Sequence, residues 1–381
     1  MTPRDRMLRV MHRQLPDRVP VVPGFGPWYA SRIAHYDMFD LEEGRAHPGR
    51  LMAELTRKYG CEMWFWTGYQ DGIQEMSSDG QKTVQTERKR LDADSFMETT
   101  RLLTPRGTIE ATALHSRMNP VHPRTGYIKD LTRDWPVYRM AHGDHWTWDN
   151  RTMMMDIPPE DLELGVTSFD ILLPVDFWHE LRHDTADMLL DLYDGSVTLQ
   201  EIMEWHREYN LCRLAARLQV KPLPDMIHLA GSSSSLSVIS PELYYRYNLN
   251  FINDVVALAH AAEVPVMIHH CGRSGRLVEI LHEETEVDIV NPLEPPPGGD
   301  VDLAEVKRRF GQRLVLFGNL NTFQLMLHGT PAEVKAAARQ AIEDAGANGQ
   351  FILCTGDQLG RDTPEANVMA MVEAAHDYGR Y

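Results

Sequence analysis

Beyond about residue 160 the chain alternates short apolar runs with amphipathic, helix-like stretches, and few folds accommodate that rhythm. The runs lie in GVTSFDILLP, DMIHLAG, VPVMIHHCG, VDIVNPLEP, RLVLFGNLN and QFILCTGD, six in all, each followed by a helical stretch. Ser240 and Pro241 form a helix-start pair after the second run, and Asp362 and Thr363 are placed to cap the last helix before Pro364. Alternation of this density calls for a parallel sheet covered by helices. With the N-terminal run DRVPVVPGFG the units approach the eight of a closed ring, so the expected fold is α/β, a (β/α)8 TIM barrel. An open doubly wound sheet is the other candidate, but no GxGxxG follows an early strand.

The first third reads differently. Thr2 and Pro3 start a helix whose Met7, Leu8, Val10 and Met11 form an apolar stripe. From Ser78 onward QKTVQTERKRL and DSFMETTRLLTPRGTIEATALHS suit short antiparallel strands joined by turns such as PRG. Such strands are too few and too polar to enclose a core. Residues 78–135 are therefore expected to be a β-hairpin insertion on a single barrel domain spanning 1–381.

Composition narrows the partners. The 38 Lys and Arg against 55 Asp and Glu give a formal charge of −17, which repels nucleic acid and anionic bilayers on average. No apolar run is long enough to span a membrane, and MTPRDRMLRVMHRQ lacks the apolar core of a signal peptide, so a cytoplasmic location is expected. Cys61, Cys212, Cys271 and Cys354 are widely spaced, which suits reduced thiols rather than a disulfide framework.

In such a barrel the chemistry belongs at the C-terminal ends of the strands. Those ends carry Asp176, His228, His269 with Cys271, Glu294, Asn319 with Asn321, and Cys354 with Asp357. In IHHCG, strand alternation turns His269 and Cys271 to one side and His270 to the other. An imidazole and a thiolate at that spacing can share one ion, and zinc accepts both donor types. His270 is expected to pack or support, and His228 to orient substrate or be a satisfied buried histidine. The Trp-rich stretches MWFWTGYQD and DHWTWD either fill the interface beneath the hairpins or offer a flat apolar wall to a ligand.

Several stretches resemble the uroporphyrinogen decarboxylase superfamily. They are TPRDRMLRVMHRQLPDRVPV, HHCG, VNPLEPPPGGDVDLAEVKRRFGQRLVLFGNLN and FILCTGDQLGRDTPEANVMAMVEAA. The decarboxylases proper carry an RQAGR stretch near the N-terminus that holds substrate carboxylates, and VVPGFGPWYASRI stands in its place here. The chain is therefore more similar to the superfamily's corrinoid-dependent methyltransferases. That resemblance implies a zinc site formed by His269, Cys271, Glu294 and a last-strand group near Cys354. The family's cysteine directly follows Pro-Gly, and an ungapped match puts Asp357 at its place and Cys354 three residues earlier. Cys354 is preferred for its position at a rigid strand end; an Asp357 ligand would give a harder site.

The implied function is transfer of a methyl group between a small methylated compound (methoxyaromatic, methylamine or thiol) and a corrinoid protein. No Asp-x-His-x-x-Gly cobalt-ligand signature occurs, so the corrinoid is expected on a separate partner protein. Asp357, His228, Asn319 and His270 are the further candidates for catalysis or substrate binding. Family resemblance also allows a homodimer. The competing readings are a metal-free, decarboxylase-like lyase and an accessory protein that kept the barrel without the chemistry.

Overall fold

Seven parallel strands follow one another round a single curled sheet in a computed structural model that describes residues 1–66, 69 and 71–381. The order is Val21–Val22, Phe351–Thr355, Val315–Leu320, Ile289–Asn291, Val266–His270, Met226–Gly231 and Ser168–Leu172. The last strand in sequence thus pairs with the first, Val22 standing in register with Cys354. Between the two free edges lies a parallel pair, Met63–Trp64 with Gly165–Val166. The Glu62 N–H donates to Val21 O at 2.9 Å, and the Phe65 N–H donates to Val166 O at 3.0 Å. The first bond holds the pair to the Val21–Val22 edge, the second lies within the pair, and Gly165–Val166 runs through Thr167 into the Ser168–Leu172 edge, so the sheet takes a TIM-barrel-like curl.

The sequence explains the local elements. Strands such as Val266–His270 and Phe351–Thr355 are buried along their whole length, as parallel strands covered on both faces must be. Helices begin where small polar residues satisfy the first free N–H groups. Thr2 with Asp5 and Thr330 with Glu333 form capping boxes, and the Ser240 side chain accepts from the Leu243 N–H. The final helix departs from expectation. It runs Glu365–Tyr378 with Pro364 at its N-cap and no side-chain cap, so neither Asp362 nor Thr363 caps it. Thr363 is fully buried instead, and among the described residues its hydroxyl finds no partner.

Alternation along each strand sorts side chains into two cores. Ile268, Leu229 and Leu353 turn outward onto helix residues such as Val255, Leu281 and Met371. Met267, Ile289, Val315, Phe317 and Ile352 turn inward, and Met7, Val10 and Met11 of the first helix pack into the same cluster. Each such residue contributes about 1.5–3 kcal/mol by leaving water. The amphipathic stripe of Pro3–Met11 thus closes one end of the barrel and leaves the chemistry to the other.

Between the second strand and Gly165 the chain forms antiparallel sheets: Ile73–Ser78 with Trp146–Thr152, and four strands from Thr83 to Thr125. The exposed Thr83–Arg90 strand is rich in Arg and Lys, which discourages edge-to-edge association. Leu102 of Ser95–Thr104 and Ile109 of Gly107–Ser116, opposite each other in register, are buried and share a cluster with Val137 of helix Leu131–His142. Among the described residues, no helix is long and apolar enough to cross a membrane.

Candidate metal centre

At the C-terminal rim, His269, Cys271 and Asp357 bring one ligand atom each to within 4.8 Å of one another. His269 Nε2 lies 3.0 Å from Cys271 Sγ, and the Cys271 thiol donates to Asp357 Oδ2 at 3.2 Å. The two residues of HHCG meet because Met267, His269 and Cys271 share the inward side. His270 turns outward, where its Nε2 lies 3.0 Å from the Tyr244 hydroxyl, and burial pushes its pKa down to about 3. It is therefore neutral and faces away from the cluster.

The orientation of His269 is imposed from the next strand. Asn291 Nδ2 donates to Phe317 O at 2.9 Å, which turns its Oδ1 toward His269 Nδ1 at 2.6 Å. Nδ1 must then carry the proton, and the Nε2 lone pair faces the thiol. Burial also lowers the His269 pKa and so favours this neutral form. Asn291 was missed in the sequence because its role depends on cross-strand register with His269, although its place at the end of VDIVN was a usable signal.

Cys271 is held on a turn fastened from several sides. The Gly272 N–H donates to Glu294 Oε2, the Ser235 hydroxyl donates to Cys271 O at 2.6 Å, and Ser232 Oγ stands 3.9 Å from Sγ. Asp176 anchors that serine loop by accepting from the Ser232 and Ser233 N–H groups, each at 2.6 Å. Burial, then the negative charge of Asp357, raises the thiol pKa far above its ordinary value. Without a cation the group is a neutral thiol.

Asp357 owes its position to backbone contacts. The Gln358 N–H donates to its Oδ1 at 2.6 Å, leaving Oδ2 for the thiol. The Thr355 hydroxyl donates to Asp357 O at 2.6 Å and accepts from the Gly24 N–H at 3.1 Å. A Cβ on Gly24 would fall 2.6 Å from that hydroxyl oxygen, so the approach needs glycine.

Other candidate residues lie around this group without joining it. Cys354 points inward one layer below, packed in the apolar barrel interior, and burial pushes its pKa up to about 12. Glu294 spends one oxygen on Gly272, and burial raises its pKa. Asn319 is buried beside Cys354 in register on the neighbouring strand. His228 is fully buried, its Nδ1 3.0 Å from Asp170 Oδ1 and its ring centroid 6.0 Å from that of His269.

A narrow cavity of about 30 Å³, room for roughly two waters, opens beside the cluster. Its apolar wall includes Phe25, Met52, Met63, Trp64 and Trp66, and Asp357 and Gln358 form part of its rim. Trp64 and Trp66 stack with centroids 4.9 Å apart. Of the stretch MWFWTGYQD, Thr67, Gly68 and Gln70 lie outside the described residues. In the second Trp-rich stretch Trp146 and Trp148 each meet Tyr209, and neither lines the cavity.

Fold and site together define a TIM-barrel-like α/β protein with an imidazole, a thiol and a carboxylate gathered at the C-terminal rim of the sheet. The chain belongs to the uroporphyrinogen decarboxylase (URO-D) family, whose model matches residues 180–378. It is 26% identical over 190 residues to the methylcobamide:CoM methyltransferase MtbA of Methanosarcina mazei, covering 49% of this chain and 52% of that protein. It is 28% identical over 194 residues to the uroporphyrinogen decarboxylase of Thioalkalivibrio sulfidiphilus, covering 49% of this chain and 51% of that one. The chain thus spans about half the length of these curated relatives. A solved structure described as a methyltransferase from Methanosarcina mazei shares the fold with a TM-score of 0.65, at 16% identity over 99% of both chains. These similarities agree with the corrinoid methyltransferase-like branch that the motifs resemble.

Proposed function

We propose that the protein is a zinc-dependent methyltransferase that moves a methyl group between a small methylated compound and a corrinoid carried by a separate protein. The observation that carries this reading is the convergence of His269, Cys271 and Asp357. One nitrogen, one sulfur and one oxygen donor fit the tetrahedral preference of zinc with a position left for substrate. The fit extends to the ligands' supports, since Asn291 already presents the His269 lone pair to the cluster.

Bound there, zinc supplies Lewis acidity, making the leaving group of a methylated compound less basic or an acceptor thiol more acidic. The protein does the rest. With the ion bound, Cys271 would ligate as the thiolate and Asp357 would contribute a carboxylate oxygen, and their two negative charges would balance that of the cation. Asn291 keeps His269 from rotating. The Trp64, Trp66, Phe25 and Met63 wall excludes water from the reacting methyl group. Glu294 stands next to the cluster, bonded to the turn that carries Cys271.

A decarboxylase acting on a many-carboxylate substrate needs cationic side chains to hold it. Among the described residues that line the cavity there is no Arg or Lys. The test is an assay of the zinc-loaded protein with a reduced corrinoid protein and panels of methoxyaromatics, methylamines and methylthiols. Corrinoid methylation that disappears in Cys271→Ser supports the proposal. Carbon dioxide release from a carboxylated substrate, undiminished in Cys271→Ser, overturns it.

A further inference from the structure

His228 is fully buried on the inward side of the barrel, and among the described residues its Nε2 has no hydrogen-bond partner. Its other nitrogen is firmly assigned. Asp170 Oδ1 lies 3.0 Å from His228 Nδ1 and also accepts from the Ser168 hydroxyl at 2.7 Å. That hydroxyl in turn accepts from the Trp64 Nε1–H at 3.0 Å. With Ser168 and Trp64 fixing the carboxylate, His228 donates through Nδ1, and Nε2 is left as an acceptor.

The surroundings show where a partner for that acceptor would come from. Trp64 meets the His228 ring at 88° and Trp66 meets it at 77°, and both indoles line the cavity beside the cluster. Trp66 belongs to no strand or helix, is partly exposed, and also touches the His269 ring at 5.5 Å. His228 does not itself line the cavity, so this indole must move aside for a ligand to reach Nε2. A buried acceptor left unpaired in this way is a strong discriminator, because only a ligand with a donor satisfies it.

We infer that His228 is a specificity-determining residue that accepts a hydrogen bond from the substrate. Resting on the methyltransferase reading, this assigns the substrate class: small molecules bearing a methylated heteroatom and, separately, a hydroxyl or N–H group. The methylated end lies at His269, Cys271 and Asp357, and the donor lies against His228.

The test uses the zinc-loaded full chain without any corrinoid and reads binding by tryptophan fluorescence. The probes are pairs with and without the donor: 2-methoxyphenol and 1,2-dimethoxybenzene, in which the hydroxyl is methylated, and 2-(methylthio)ethanol and ethyl methyl sulfide, in which it is removed. The expected result is that in at least one pair the hydroxyl member binds about tenfold more tightly. His228→Phe should abolish the difference while its zinc content stays that of the wild type, and His228→Leu serves if the larger ring prevents folding. Equal or undetectable binding of both members in every pair, or a preference that survives in the His228 variant, overturns the inference. Because no methyl transfer is measured, failure of the methyltransferase reading would show in the corrinoid assay and not here.

Discussion

His269 Nδ1 lies 2.6 Å from Asn291 Oδ1, and that amide is itself locked by its bond to Phe317 O. The neighbouring strand therefore decides which nitrogen of His269 is free. Asn291→Ala removes the lock and should weaken zinc binding about 10- to 100-fold, measured by competition with a chelating dye. Asn291→Asp, which preserves an acceptor toward Nδ1, should recover part of the loss.

Stability depends on a second buried pair that takes no part in the cluster. Arg217 Nη2 lies 2.9 Å from Asp71 Oδ2, with side-chain exposures of 0% and 1%, and the Thr152 hydroxyl also donates to Asp71 at 2.7 Å. Arg217→Met leaves that carboxylate buried without its cation and should cost about 3–5 kcal/mol in urea unfolding. Replacing both partners, as Arg217→Met with Asp71→Leu, should cost less than the single change.

Acid sensitivity should have an identifiable contributor. Hydrogen bonds from Arg6 hold the Asp17 carboxyl well below its ordinary range, at about 2. A depressed pKa favours the folded state above the unfolded group's pKa, and that contribution fades as pH falls from about 4 toward about 2. Asp17→Asn should flatten this part of a plot of urea midpoint against pH. Because Asp17 is 44% exposed, the effect should shrink in high salt.

Much of this molecule was legible because periodicity is a local property. Six strand–helix units and the opposed faces of His269 and His270 follow from side-chain alternation, which needs no tertiary information. The strand Met63–Trp64 was hidden because two residues inside an aromatic-rich stretch leave no period to read. Asp357 outranks Cys354 at the cluster for a similar reason. The inward direction of the last strand sends Cys354 into the apolar layer, while the turn fastened by Thr355 and Gly24 carries Asp357 back over the rim. Asn291 and the Asp71–Arg217 pair depend on contacts between distant segments, which spacing alone cannot reveal.

The assignment of the third donor tests the centre most directly. Zinc content should be measured by mass spectrometry on wild type, Asp357→Asn and Cys354→Ala purified in parallel. If His269, Cys271 and Asp357 form the site, wild type and Cys354→Ala carry stoichiometric zinc and Asp357→Asn loses most of it. Full zinc in Asp357→Asn together with its loss in Cys354→Ala would contradict the account.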